Sequence, residues 1–212
     1  MKKAIFFVDA NNWYHNVKKF FPPGDIDIKK IAELLADAKG YELVEIRWYA
    51  STPSIKDGER MYYKHMSYLG HLEKSGIKVI KRKLQRLSNE EIIKKKKETI
   101  ENLYLCEHCK PLLESVFLDL ADIKKKEKGI DIWVAVDMLR KCLIEKECEV
   151  CVLISGDADF VPALELITKN GNEVLTSMVP WGYSTELRKK FPFFMLRRET
   201  LMKCFKEYKD KK

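Results

Sequence analysis

The sequence predicts an α/β fold of three layers, a mostly parallel central sheet with helices on both faces, and three observations predict it. Short apolar runs recur along the chain, segments of helical periodicity separate them, and two of the runs end abruptly in acidic residues. Parallel strands buried on both faces read as unbroken apolar runs rather than as alternating ones.

The first run, Ala4-Ile5-Phe6-Phe7-Val8, stops at Asp9 and opens into the polar Ala10-Asn11-Asn12, read as a loop. Asp27 can cap a helix that carries Ile28, Ile31, Leu34 and Leu35 on one face, and Lys39-Gly40 stops it. A second strand pattern runs from Leu43 to Ala50. After Asp57-Gly58 a helix reaches about Lys74, with Met61, Tyr62, His65, Tyr68, Leu69 and Leu72 at helical spacing, and a strand follows at Ile77 to Ile80.

From about 81 to 127 the chain is rich in Lys and repeats no strand pattern, which reads as an insertion on a single domain spanning 1–212. Regularity returns with a helix opened by Gly129-Ile130-Asp131, then the strand Val150 to Ile154 and Ser155-Gly156-Asp157-Ala158-Asp159. A helix to Lys169, a strand from Glu173 to Met178, a short helix capped by Ser184 and a last strand at Phe193 to Leu196 complete the pattern.

Composition bounds the function classes. Forty Lys and Arg against thirty-two Asp and Glu give a net charge of +8, which suits a polyanion. No stretch approaches the roughly 18 apolar residues of a membrane span, so no membrane partner is expected. Six cysteines and a first apolar run without a cleavage site read as a protein of a reducing compartment, the cytoplasm. Cys106-x-x-Cys109 has zinc-ligand spacing, repeated at Cys148-x-x-Cys151, although Cys151 also reads as the first residues of a buried strand.

The acids carry the chemistry. Open parallel sheets bind ligands at the carboxyl ends of their strands. Asp9 follows one apolar run and Asp157 and Asp159 another, so neighbouring strands would bring three carboxylates to one edge. Clustered carboxylates repel unless a hard cation neutralises them, and oxygen donors select Mg²⁺ or Mn²⁺. The competing reading is that Asp157, Asp159 and Asp131 cap helices. Asp137, six positions beyond Asp131 and about 240° round an ideal helix, points elsewhere. Trp13, Tyr14 and Trp181 read as core residues, with stacking on bases at the rim as the alternative.

Three segments together resemble the NYN domains, and in particular their LabA-like branch, within the PIN-like nucleases. They are Phe7-Val8-Asp9-Ala10-Asn11-Asn12, Glu127-Lys128-Gly129-Ile130-Asp131 with Val136-Asp137-Met138-Leu139, and Ile154-Ser155-Gly156-Asp157-Ala158-Asp159-Phe160-Val161-Pro162. The resemblance implies a PIN-like, Rossmann-like fold and metal-dependent cleavage of RNA, single-stranded or structured. By the same resemblance Asp9, Asp131, Asp157 and Asp159 match the acids that hold Mg²⁺ or Mn²⁺, Asn12 matches an Asn of the first loop, and a homodimer is a fair expectation. Ser155 and Lys128 are candidate contacts to the substrate phosphate, and a non-catalytic RNA-binding or regulatory protein on the same fold is the alternative.

Overall fold

Alternation of side chains along an extended strand sends neighbouring residues to opposite faces of a sheet. In the first strand that rule divides the core in two. The computed structural model describes residues 1–55, 58–83, 85–86, 89–119, 125–126 and 129–207. In chain order the elements are β1 (Lys2–Asp9), α1 (Ala10–Val17), α2 (Ile28–Lys39), β2 (Tyr41–Thr52), α3 (Glu59–Lys74), β3 (Lys78–Lys83), β4 (Gln85–Arg86), α4 (Asn89–Glu101), α5 (Cys109–Asp119), β5 (Lys125–Lys126), α6 (Ile130–Leu139), β6 (Val150–Ile154), α7 (Val161–Lys169), β7 (Glu173–Met178), α8 (Thr185–Lys190), β8 (Phe193–Met195) and α9 (Arg198–Met202).

The main unit comprises Met1–Arg82 and Gly129–Lys212. Its six strands lie in the order β3-β2-β1-β6-β7-β8, parallel from β2 through β8. Phe6 and Val8 face one layer, where they join Trp13 and Val17 of α1, Leu35 of α2 and Leu69 and Leu72 of α3. Ile5 and Phe7 face the other, with Val134 and Met138 of α6 and Leu164 and Ile167 of α7. Both faces of β1 are therefore buried, as an unbroken apolar run requires. Truncating Phe6 or Phe7 to Ala would cost about 3–5 kcal/mol.

The second unit, Lys83–Lys128, holds α4 and α5 and a short antiparallel pair of β4 and β5. Among the described residues no helix is long and apolar enough to cross a membrane.

The caps read from sequence are present. Asp27 accepts the Lys29 N–H at 2.9 Å, and the Ser184 hydroxyl accepts that of Glu186 at 3.1 Å. Gly40 ends α2 in the left-handed conformation that stops helices. One local expectation fails: the polar stretch after β1 is a helix. Asp9 caps it and Trp13, Asn16 and Val17 bury its inner face at helical spacing, so an asparagine occupies a position where an apolar residue would have announced the helix.

Candidate functional site

β1 and β6 are neighbours, and their register pairs Val8 with Ile154. The next residues, Asp9 and Ser155, are consequently level where the two strands end. Asp9 is 3% exposed. Its Oδ1 accepts the backbone N–H groups of Asn11 and Asn12, each at 3.1 Å, and its Oδ2 accepts the Ser155 hydroxyl at 3.0 Å. The start of α1 thus holds the carboxylate with amide donors and a favourable helix dipole.

The chain of contacts continues along the loop after β6. Ser155 Oγ accepts the Asp157 N–H at 3.2 Å, and Asp157 Oδ1 accepts the Asp159 N–H at 3.0 Å. Asp157 is therefore a cap, as the competing reading held, and lies half-buried beside the Asp9–Ser155 pair, while Asp159 is exposed. A carboxylate oxygen has more than one lone pair, so capping leaves Asp157 with acceptor capacity.

Helix α1 and the loops after β6 and β7 are locked around these residues. Asn12 Oδ1 accepts the Gly156 N–H at 3.0 Å and the Asn16 side-chain amide at 3.1 Å, and the latter also reaches the Gly182 carbonyl at 3.5 Å. Gly156 O accepts the Ser184 N–H at 2.7 Å. Both glycines are required. A Cβ on Gly156 would come within 2.5 Å of the Gly182 carbonyl oxygen, and one on Gly182, whose φ is +71°, would overlap the Asn16 amide. Asn16, Gly156 and Gly182 were not singled out in the sequence, where only the spacing of Asn12 and Asn16, one helical turn, hints at the arrangement.

Asp131 stands in the first turn of α6, behind Gly129, which takes the N-cap position. α6 runs back along the sheet: Asp137 bonds to side chains of β2, and Cys142 beyond the helix meets Cys148 just before β6 begins. Its first turn, with Asp131, therefore lies towards the edge where Asp9 and Asp157 sit.

Asp137 is a buried structural acid. It accepts Arg47 Nη2 at 2.7 Å, the Tyr49 hydroxyl at 2.8 Å and Arg140 Nη2 at 2.8 Å. Burial pushes its carboxyl up, but the bonds from Arg47 and Tyr49 and the neighbouring positive charges outweigh that and hold it below the usual carboxylate range. No local pattern announces Arg47, which is fully buried in the middle of β2.

Other candidates are dispersed. Lys128 lies outside the described residues. Cys148 and Cys151 are buried in the core, with Cys148 Sγ 3.4 Å from Cys142 Sγ, so that Cys-x-x-Cys serves packing. Cys106 and Cys109 are exposed at the start of α5, where the Cys109 N–H donates to Cys106 Sγ at 3.3 Å. Trp13 is core, whereas Tyr14 and Trp181 are exposed.

The donor chemistry of the β1 and β6 ends fits a hard divalent cation, since its side-chain donors are all oxygens. Among the described residues no group of three or more His, Cys, Asp or Glu forms a ready-made cage for an ion. Mg²⁺ does not need such a cage: it commonly takes one or two carboxylates and fills its remaining positions with water and substrate phosphate.

Comparison with known proteins agrees with this architecture. A solved structure of a protein of unknown function from Vibrio parahaemolyticus RIMD 2210633 superposes with a TM-score of 0.55 at 17% identity, over 92% of this chain and 93% of that one, which shows a shared fold. No curated protein matches the chain. The NYN domain profile matches residues 3–195, nearly the whole length, and the chain belongs to the NYN domain family, within the PIN-like nuclease superfamily.

Proposed function

We propose that the protein is a metal-dependent ribonuclease whose reaction centre is the edge formed by the ends of β1 and β6. The observation that carries the reading is the linked set Asp9–Ser155–Asp157, which pairs a buried and a half-exposed carboxylate where parallel sheets bind ligands. Asp9 and Asp157 would hold Mg²⁺ or Mn²⁺. When bound, such an ion polarises the phosphate and lowers the pKa of water.

The protein's own residues supply position. Ser155 uses its hydroxyl as donor to Asp9 and as acceptor from the Asp157 amide, fixing the two acids relative to each other. Asn12 spends its carbonyl on Gly156 and Asn16 and so steadies the loop rather than the substrate. Asp159, which is exposed, and Asp131, which is half-buried, would orient water around the ion. A second reading, an RNA-binding protein without cleavage, draws on the net charge of +8.

The test is cleavage of labelled single-stranded RNA in Mn²⁺ or Mg²⁺ by wild type, Asp9→Asn and Asp157→Asn. Asn is itself a good N-cap, so both variants should fold. The proposal expects metal-dependent cleavage that falls at least about 100-fold in each variant. A wild type that binds RNA in a salt-sensitive manner and never cuts it would establish the second reading instead.

A further inference from the structure

Large aromatic side chains left in water need a reason when they recur at one edge of a fold. Of the four tryptophans, Trp13 and Trp48 are buried at 4% and 3% exposure, while Trp133 and Trp181 are 49% and 42% exposed. Both exposed indoles are tied to the scaffold of the carboxylate edge. Trp133 lies two residues after Asp131, and the Arg82 guanidinium sits 5.9 Å from its ring centre while donating to the Gly129 carbonyl at 3.3 Å. Trp181 directly precedes Gly182 and packs on Phe20, with ring centres 5.0 Å apart and planes at 37°.

The two lie on opposite sides of the reacting edge. Arg82 belongs to β3 and Trp181 follows β7, with β2, β1 and β6 between them in the sheet. Four inter-strand spacings make about 19 Å. Cations accompany the aromatics on both sides: Arg82 at Trp133, and Arg188, whose guanidinium is 5.9 Å from the Tyr183 ring centre, beyond β7.

We propose that Trp133 with Arg82, and Trp181 with Phe20, are two base-stacking platforms that hold a single-stranded stretch of RNA across the Asp9–Asp157 edge. The proposal rests on the reading of that edge as a nuclease site. Stacking on an aromatic needs a free base face, which a duplex hides within its own stack. The guanidinium beside Trp133 adds attraction for phosphate and for a base face alike. The arrangement therefore selects unpaired RNA through residues that touch no metal.

The experiment measures binding with a chelator present, so that no cleavage occurs. The probes are a labelled oligouridine of about 12 nucleotides and an RNA duplex of the same length. Trp133→Ala and Trp181→Ala should each weaken oligouridine binding about 5- to 100-fold and leave duplex binding unchanged, while Trp133→Phe and Trp181→Phe retain most of the affinity. Indole fluorescence of the wild type should be quenched by the oligouridine. Alanine variants that bind oligouridine as the wild type does, or that lose single strand and duplex equally, would overturn the proposal. Its failure is separable from that of the nuclease reading: intact binding in the Trp variants beside lost cleavage in Asp9→Asn removes the platforms alone, and lost binding beside a wild type that never cuts removes the nuclease alone.

Discussion

Asp137, within α6, and Asp157, in the loop after β6, are acids with opposite surroundings. Asp137 is buried and surrounded by Arg47, Tyr49 and Arg140. Asp157 is half-exposed, and among the described residues its carboxylate accepts the Asp159 N–H, its own backbone N–H donates to the Ser155 hydroxyl, and it makes no ion pair. Burying a carboxylate is costly unless the protein supplies a cation, and Arg47 is that cation for Asp137. The Asp157 carboxylate accepts one backbone amide and has acceptor capacity left for a ligand. The contrast separates an acid that stabilises the fold from one that can serve chemistry.

The strongest way to break the comparison is to remove the structural acid. Asp137→Ala takes from Arg47 its buried carboxylate partner and leaves it only the half-buried Glu45 and the Tyr49 hydroxyl, and urea unfolding should show a loss of about 3 kcal/mol, whereas Asp157→Asn should change stability by less than about 1 kcal/mol. Replacing Arg47 and Asp137 together by Met and Leu should recover most of the loss, since an apolar pair needs no counter-charge.

A smaller effect should come from the lock around the site. Gly182→Ala forces a side chain into a left-handed backbone position and against Asn16. We expect a stability loss of about 1–3 kcal/mol and a larger proportional loss of RNA cleavage, because the β7 loop can no longer seat against Gly156.

The smallest effect is in acid. The Asp137 carboxyl is depressed in the fold, so its contribution is fully present above the unfolded carboxylate value of about 3.9 and disappears as pH falls through the lower folded value. Unfolding from pH 6 down to pH 3 should show a stability loss in the wild type that is reduced in Asp137→Asn. Equal acid sensitivity in both proteins would assign the loss to other groups.

How far the sequence foretold these features depended on whether the cause was local. β1 and β6 announce themselves because both faces are buried, and Asp27 and Ser184 announce helix starts because the capped amide is two residues away. α1 did not, since Asn16 fills a buried position and its partner Gly182 lies 166 residues further on. Arg47 reads as a surface residue until Asp137, 90 residues later, is brought against it. Asp9, Asp157 and Asp131 were legible as strand-end and helix-start acids, and the link through Ser155 follows from the β1–β6 register, which no local pattern encodes.

The most direct test of the central claim is Mn²⁺ binding followed by calorimetry in wild type, Asp157→Asn and, as a surface control, Asp37→Asn. The account predicts one site in the wild type, weakened at least about tenfold by Asp157→Asn and untouched by Asp37→Asn. Binding that survives Asp157→Asn at full strength would contradict it and place the ion elsewhere on the protein.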